Sequence, residues 1–253
     1  MTVVPPEIVD LARQARTVTV LTGAGMSAES GIPTFRDAQT GLWTRVRPED
    51  LATPQAWRRD PARVWAWYAW RTVAAGRCDP HAGHRALAEW SHRPGVRMRV
   101  VTQNVDDLHE RAGSTAVAHL HGSLFAHRCD TCGAPHAGEL RLPEWPVEVL
   151  DPPACACCRG GRVRPDIVWF GEALDEDVLD SAVDAVRDAD LLLVVGTSGI
   201  VYPAAGLPAL AQGFGVPTVE VNPHGSDLSA DVDHAWAVSA AVGLPALTAA
   251  LGR

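Results

Sequence analysis

The chain has 253 residues, enough for one large domain, or a large and a small one, with a substantial buried core. Its net charge of -8 disfavours direct nucleic-acid binding, because duplex-binding domains carry a basic surplus. No run of eighteen apolar residues occurs and the N-terminus lacks a secretion pattern, so we expect a cytoplasmic protein without a membrane span. All 22 basic residues are arginine, which excludes chemistry through a lysine of the chain itself, such as a Schiff base.

Short β-branched runs predict six strands, at Thr17–Thr22, Arg97–Thr102, Ala116–Leu120, Leu191–Val195, Pro217–Val221 and Ala235–Val238. Helical patterns lie between them at Pro80–Trp90, Asp175–Asp188 and Ala204–Gln212. Strands that alternate with helices, and that are apolar on both faces, indicate an α/β fold. We expect a Rossmann-like parallel sheet with helices on both faces.

The first strand runs into a glycine turn of the form G-x-G-x-x-A, from Gly23 to Ala28. Glycines at 23 and 25 would allow a tight turn close to a pyrophosphate, and the next helix N-terminus would offer free N–H groups. The acidic residue that usually binds the ribose about twenty positions further on is missing. This absence argues against an ordinary dehydrogenase.

Polar or glycine-containing clusters follow five of the predicted strands. They are Thr22–Gly25, Gln103–Asp106, His121–Gly122, Gly196–Ser198 and Asn222. In open parallel sheets, ligands bind beyond the carboxyl ends of the strands. Loops are often polar, but an amide, an acid, an imidazole and hydroxyls at the same edge predict one shared crevice.

Five of the six cysteines cluster in two groups. Cys129 and Cys132 form one C-x-x-C pair, and Cys155 and Cys158 form a second pair after 22 intervening residues. Four thiolates from two such pairs suit one tetrahedral zinc ion and leave no open position, so we predict a structural metal. Cys157 could replace either Cys155 or Cys158 as a ligand.

Two segments interrupt the strand–helix alternation. We predict a large domain from residues 1–33, 78–125 and 165–253. The small domain would combine a helical insertion at 34–77 with a zinc-binding module at 126–164.

Together the motifs resemble the sirtuin (Sir2) family over almost the whole chain. The matching stretches are Gly23–Asp37, Thr102–His109, His119–Gly122, the cysteine pairs, Arg164–Glu172, Gly196–Ser198 and Val221–Pro223. Met26 and Val105 replace isoleucines that are common in the family. The resemblance implies NAD-dependent removal of acyl groups from lysine side chains of other proteins, one structural zinc ion, and no nucleic-acid or membrane partner.

The resemblance also implies a mechanism. The acyl oxygen would attack C1′ of the nicotinamide ribose and expel nicotinamide, and the acyl group would end on ADP-ribose. His121 would be the general base on a ribose hydroxyl, with Asn104 and Asp106 as the other catalytic residues. The implied NAD-binding residues are Gly23, Ala24, Gly25, Ser27, Thr34, Phe35, Arg36, Asp37, Gln103, Asn104, Val105, Asp106, Gly196, Thr197, Ser198, Asn222, Pro223 and Ala240.

Substrate recognition is implied at two further places. The segment Val168, Trp169, Phe170 and Gly171 would pair with the substrate backbone by strand addition. Tyr68 and Arg71 match a Tyr-x-x-Arg pair that binds succinyl- or malonyl-lysine in a subset of the family, and Ala52 matches a small residue that widens the acyl pocket there. A purely packing role for this helix is the alternative, because Trp65, Trp67 and Trp70 surround the pair.

Two other functions fit parts of the sequence. The same cleft could serve an NAD-consuming protein ADP-ribosyltransferase or an NAD hydrolase. A zinc-ribbon binding module with an inactive nucleotide fold is the non-enzymatic alternative, against which His121 and Asn104 argue.

Overall fold

In the computed structural model, residues 2–32 and 47–252 are described. They form eight strands: β1 (Thr17–Thr22), β2 (Arg97–Thr102), β3 (Val117–His119), β4 (Gly122–Cys129), β5 (Val163–Ile167), β6 (Leu191–Val195), β7 (Thr218–Val221) and β8 (His234–Trp236). Six of them make one sheet in the order β3-β2-β1-β6-β7-β8, with every neighbouring pair parallel. The predicted Rossmann-like sheet is therefore confirmed.

The order of this sheet creates a switch point. The chain builds outward from β1 through β2 to β3, and then returns to the other side of β1 with β6, β7 and β8. The ends of β1, β2 and β6 are in register, with Thr22 opposite Thr102 on one side and Val195 on the other. Ligands of such sheets bind beyond the carboxyl ends of the strands at the place where the order reverses.

The described helices are α1 (Pro6–Gln14), α2 (Gly25–Ala28), α3 (Pro48–Leu51), α4 (Pro54–Arg59), α5 (Pro61–Gly76), α6 (Ala82–Ser91), α7 (Leu108–Arg111), α8 (Glu176–Arg187), α9 (Leu207–Gly213) and α10 (Ala240–Leu251). None of these described helices has the length and apolar character needed to cross a bilayer. The segment predicted as one helix from Ala204 divides into a 3-10 turn at Ala204–Gly206 followed by α9. Pro208, near the start of α9, has no N–H to continue a helix from the preceding turn.

Strand β6 shows why the sheet is covered on both faces. Its side chains are fully buried, and they alternate between two cores. Leu191, Leu193 and Val195 pack with α1, α6 and α10, whereas Leu192 and Val194 pack with α8 and α9. A continuous apolar run is the pattern expected of a strand buried between two helical layers.

A second lobe contains the antiparallel pair β4 and β5 with helices α4 and α5. Its core is aromatic and includes Trp57, Trp65, Trp67, Tyr68 and Trp169. Strand β4 was not predicted, because its burial along the strand does not alternate. The predicted domain boundaries at residues 125 and 165 cut through β4 and β5, so the small sheet begins and ends outside the predicted small domain.

Three histidines form a cluster beside the β1 end of the sheet, with His84 and His109 buried and His81 half-buried. The ring centroids of His81 and His84 lie 4.2 Å apart, and those of His84 and His109 lie 5.0 Å apart. Neither ring nitrogen of His84 has a hydrogen-bond partner among the described residues. Burial lowers the pKa of His84 to about 2 and that of His109 to about 4, so both rings are neutral at physiological pH.

These buried histidines predict that the stability of the fold decreases in acid. The folded-state pKa values lie below the ordinary value of 6.5, so the unfolded chain binds protons first as the pH falls. The free energy of unfolding should therefore decrease below pH 6.5, by about 1.4 kcal/mol per pH unit for each such histidine. We expect His84→Leu to make this decrease shallower in denaturant titrations between pH 7.5 and 5. The same slope in His84→Leu and in the exposed-site control His224→Asn would contradict the assignment.

Candidate active site

The turn after β1 packs directly on the turn after β6. A Cβ added to Gly23 would lie 2.8 Å from the Thr197 Cα, and one added to Gly25 would lie 2.8 Å from the Gly196 Cα. Gly196 has a φ of 60°, which side chains other than glycine rarely adopt. The glycines are therefore required in the first place by contact between the two turns at the switch point.

The helix expected after the glycine turn is the single turn α2. The N–H groups of Gly25, Met26 and Ser27 donate to carbonyl oxygens at 2.8, 2.9 and 3.1 Å. The expectation that this helix N-terminus offers free N–H groups is thus wrong at these three positions. The reason is that Met26 and Ser27 donate to the carbonyls of Gly23 and Ala24 within the turn. Gly25 donates to the Gly196 carbonyl in the turn after β6.

A buried polar triad joins the β1 and β2 ends. The Asn104 Nδ2 donates to the Ser27 Oγ at 3.0 Å, and this hydroxyl donates to the Asp106 Oδ2 at 2.8 Å. The Leu108 N–H donates to the other carboxylate oxygen at 3.2 Å. Burial raises the pKa of Asp106, although the hydrogen bonds from Ser27 and Leu108 oppose this shift. The triad fixes the Asn104 and Asp106 side chains at the crevice.

Among the described residues, the His121 ring makes one hydrogen bond, with a backbone carbonyl. Its Nδ1 lies 3.0 Å from the Gln103 carbonyl oxygen, which can only accept, so Nδ1 carries the proton. The lone pair is therefore on Nε2. Burial lowers the pKa of His121, so the ring is neutral at pH 7 and able to accept a proton. Gly122 follows with a φ of 75°, and a Cβ there would lie 2.0 Å from the Asp166 carbonyl oxygen.

His119 is placed differently. Its Nδ1 lies 3.0 Å from the Asn104 carbonyl oxygen and its Nε2 lies 2.7 Å from the Glu110 Oε1. Burial opposes charge on this ring, but the contacts with Glu110 and Asn104 outweigh burial and raise the pKa of His119. No sequence pattern predicted the pairing of His119 with Glu110, and its one sequence signal is the histidine two residues before His121.

The β2, β6 and β7 ends are tied to one another. The Gln103 Nε2 donates to the Thr197 Oγ1 at 3.0 Å, and the Asn222 Nδ2 donates to the Thr197 carbonyl oxygen, also at 3.0 Å. The carbonyl of Ser198 accepts from Asp227. The structure thus brings Gln103, Thr197, Ser198 and Asn222 to one edge, with Pro223 next in the chain.

Ala240 lies further along this edge. It begins α10 and is 3% exposed, and its carbonyl oxygen would lie 2.5 Å from a Cβ on Gly83. The neighbouring Ser239 and Ala241 both donate to the Glu29 carboxylate at 2.9 Å. Ala240 is therefore enclosed between helices, and a cofactor contact at this position stays a prediction.

Some predicted NAD-binding residues lie outside the described residues: Thr34, Phe35, Arg36 and Asp37. Their place near the phosphates stays a prediction. Val105 is described, and its carbonyl accepts from the Leu124 N–H at 2.8 Å, which connects the β2 end to β4.

Four cysteine sulfurs converge in the small lobe. The Cys129 and Cys158 Sγ atoms lie 3.6 Å apart, those of Cys132 and Cys155 lie 3.9 Å apart, and all four lie within 4.8 Å of one another. Sulfurs about 2.3 Å from a tetrahedral zinc ion are about 3.8 Å apart. The cluster therefore fits a structural zinc site, and it includes Cys158 rather than Cys157.

The surroundings of the cluster also fit a metal. A Cβ on Gly161 would lie 2.5 Å from the Cys129 Sγ, so this glycine leaves room for the sulfurs. The Cys157 N–H donates to the Cys155 Sγ at 3.2 Å and lowers the pKa of this thiol to about 6. Cys157 thus supports the cluster through its backbone N–H rather than through its own sulfur. The Trp57 Nε1 donates to the Asp130 Oδ2 at 2.8 Å, which joins the cysteine knuckle to α4.

The segment predicted to pair with substrate is not an open strand edge. Strand β5 ends at Ile167, and the next three N–H groups already donate within the protein. The Val168 N–H donates to the His121 carbonyl, that of Trp169 to Glu172, and that of Phe170 to Ala52. These three donors are used within the protein, and the Trp169 carbonyl accepts from the Glu172 N–H, so pairing of this segment with a substrate backbone stays a prediction.

Tyr68 and Arg71 lie on the same side of α5, in the aromatic core. The Tyr68 and Trp169 rings are stacked with centroids 6.2 Å apart, and the Arg71 guanidinium carbon lies 4.8 Å from the centroid of the Trp67 ring. Burial raises the pKa of Tyr68 to about 12, so its hydroxyl keeps its proton at neutral pH. Ala52 belongs to the same core as Tyr68, and its carbonyl accepts from the Phe170 N–H at 3.0 Å.

The fold and the site together define a class. The parallel sheet, its glycine turn at the switch point, a neutral histidine at the same edge and a four-cysteine module are the parts of a dinucleotide-binding enzyme with a structural metal lobe. Residues 23–203 match the Sir2 family. The chain belongs to this family.

Similar proteins are numerous. The chain is 54% identical over 231 residues to a Mycobacterium tuberculosis protein named NAD-dependent protein deacylase, which covers 91% of this chain and 95% of that protein. It is 51% identical over 240 residues to a protein of the same name from Corynebacterium glutamicum, covering 94% and 93%. The structure superposes on a complex of a Sir2 homologue with NAD, with a TM-score of 0.89, 42% identity and coverage of 99% and 95%.

The cysteine cluster yields a direct test. We expect Cys158→Ser to abolish zinc binding, because three thiolates and a hydroxyl bind zinc far less tightly than four thiolates. Cys157→Ser is the matched control and should keep a single zinc ion per chain when the metal is measured by plasma mass spectrometry. Loss of zinc from the Cys157 variant together with retention in the Cys158 variant would reverse the ligand assignment.

Proposed function

We propose that this chain is an NAD-dependent protein-lysine deacylase. The observation that carries the proposal is His121, whose Nδ1–H is fixed by the Gln103 carbonyl. Its basic Nε2 is thereby available at the edge where the turns of β1, β2, β6 and β7 meet. A neutral histidine held in one tautomer at a dinucleotide crevice is suited to accept a proton from a ribose hydroxyl.

The relatives support this proposal. Proteins at 51 to 54% identity over more than nine-tenths of the chain carry the name NAD-dependent protein deacylase. A solved Sir2 structure with 29% identity, a TM-score of 0.79 and coverage of 96% of each chain contains a deacetylated p53 peptide together with 3′-O-acetyl ADP ribose. That pair of molecules corresponds to the products expected of acyl transfer from lysine to the ribose.

Different residues of the crevice would contact different parts of NAD. When bound, NAD supplies an electrophilic ribose carbon with nicotinamide as its leaving group. Asn104 and Asp106 would face the ribose and the nicotinamide end, with the Ser27 hydroxyl holding both in place. His121 would take the proton from the ribose hydroxyl. Ser198 and Asn222 would serve the adenosine side, and the glycine turn would face the phosphates.

The zinc site would act at a distance from this chemistry. Four cysteine ligands leave no coordination position for substrate. The metal would hold the knuckles at the tips of β4 and β5, and these strands lead back to His121 at one end and to Val168 at the other. Its role would therefore be to fix the small lobe.

ADP-ribosyl transfer to protein, or plain hydrolysis of NAD, is the alternative reaction for the same crevice. Both would use the glycine turn and Asn104. The match of Ala52, Tyr68 and Arg71 to acyl-pocket residues favours deacylation, because neither alternative needs a pocket that accepts an acyl group.

The reaction can be identified by its products. The wild-type enzyme with NAD and an acyl-lysine peptide should release nicotinamide and O-acyl-ADP-ribose in equal amounts. His121→Asn keeps an amide N–H that can reach the Gln103 carbonyl but removes the base, so we expect kcat/KM to fall by about 10²–10⁴-fold. In the wild type, kcat/KM should decrease as the pH falls through the lowered pKa of His121.

Mass spectrometry of the products and unchanged zinc content of the variant are the controls. Nicotinamide release without O-acyl-ADP-ribose would instead identify a hydrolase. ADP-ribose attached to the peptide would identify a transferase.

The acyl preference is the finer part of the proposal. We infer that the enzyme accepts acetyl-lysine and also succinyl- or malonyl-lysine. The Tyr68 hydroxyl and the Arg71 guanidinium are donors at neutral pH, and a carboxylate can only accept. Burial lowers the pKa of Arg71 against the nearby Asp106 carboxylate, but a guanidinium stays charged in proteins.

We therefore expect Arg71→Met to reduce kcat/KM on succinyl-lysine peptides far more than on acetyl-lysine peptides. The loss of a charge-assisted contact should cost about 2 kcal/mol, or roughly thirtyfold. Arg63→Met, at an exposed position of the same helix, is the control and should change neither rate. Equal losses on both peptides in the Arg71 variant would leave α5 with a packing role only.

A further inference from the structure

Trp169 is held more tightly than a packing residue requires. Its backbone N–H donates to the Glu172 Oε2 at 2.9 Å, and its backbone carbonyl accepts from the Glu172 N–H, also at 2.9 Å. The Arg164 guanidinium carbon lies 3.3 Å from the centroid of the indole ring, and Arg164 itself forms two hydrogen bonds with Glu172, at 2.6 and 2.9 Å. The Arg164–Glu172 pair therefore contacts both the Trp169 backbone and one face of its ring.

The indole faces the residues predicted to bind the acyl group. Its ring is stacked on Tyr68 at 6.2 Å and lies 5.6 Å from Trp57. The next residue, Phe170, donates to the Ala52 carbonyl. Trp169 therefore adjoins Tyr68, and the residue after it adjoins Ala52. We define the candidate acyl pocket by Ala52, Tyr68 and Arg71.

The Trp169 Nε1 is a poorly satisfied donor. The side chain is 2% exposed, and this nitrogen has no hydrogen-bond partner with good geometry among the described residues. It is near enough to the Tyr68 hydroxyl to lower the pKa of that phenol, against the larger raising effect of burial. A buried donor without a partner is costly, which is why such groups often meet a ligand.

We propose that Trp169 is a specificity-determining residue whose indole N–H donates to the distal carboxylate of an acidic acyl group. It would act beside Tyr68 and Arg71. The inference rests on the proposed function and deepens it, because it assigns a third donor to the acyl pocket. Phenylalanine at this position would keep an aromatic ring over Arg164 but would remove the donor.

Kinetics with two acyl groups test the assignment. Succinyl- and butyryl-lysine peptides of one sequence have acyl chains of similar length, but only the former carries a carboxylate. Trp169→Phe should lower kcat/KM on the succinyl peptide by about tenfold more than on the butyryl peptide. Trp65→Phe is the control, because Trp65 lies in the same core but packs on His127, and it should affect both peptides equally.

Trp67 is less suitable as a control. Its Nε1 also lacks a partner among the described residues, but its ring lies under Arg71. Replacing it would disturb the arginine itself.

A second measurement observes peptide binding to the wild-type protein directly and does not depend on the activity of a variant. The nine tryptophans give indole N–H signals in ¹⁵N-labelled protein. In the presence of ADP-ribose, the assigned Trp169 signal should move downfield with the succinyl peptide and stay in place with the butyryl peptide.

The outcomes separate this inference from the proposed function. Equal loss on both peptides in Trp169→Phe, or an unmoved Trp169 signal with bound succinyl peptide, would overturn the inference while deacylation stands. A wild-type enzyme that releases no nicotinamide with any acyl peptide would overturn the function itself.

Discussion

The contact between the turns after β1 and β6 is the constraint on which the site depends. No side chain fits at Gly23 or Gly25, because the backbone of Gly196 and Thr197 occupies that space. This contact at the switch point sets the distance between the two halves of the sheet. At the same edge, the Gln103 side chain donates to Thr197. The backbone carbonyl of Gln103 in turn orients His121. The His121 imidazole is thus positioned through Gln103 and Thr197 by the packing of the two turns.

Two histidines separated by one residue acquire opposite roles from their partners. His121 has one carbonyl acceptor, so it holds one proton and burial keeps it neutral. His119 has a carbonyl at one nitrogen and the Glu110 carboxylate at the other, which favours the charged ring. Environment rather than residue type therefore decides which ring can act as a base and which one supports the backbone of Asn104.

The small lobe joins the cysteine cluster, the segment that follows β5 and helix α5. Its aromatic side chains surround Tyr68, and the Arg164–Glu172 ion pair locks the chain as it leaves β5. Arg164 is 6% exposed, and a buried pair of this kind is better explained by the geometry it imposes than by net stabilisation. The geometry here is the placement of Trp169 and of the backbone that joins His121 to Ala52.

The sequence by itself determined the sheet, the family resemblance and the residues at the strand ends, because apolar runs and glycine turns are local patterns. It left open whether Cys157 replaces Cys155 or Cys158 as a zinc ligand, and it suggested free N–H groups at α2. Only the tertiary structure decided these points. Which sulfur converges, and which N–H is already paired, depends on contacts between distant segments that no local pattern encodes.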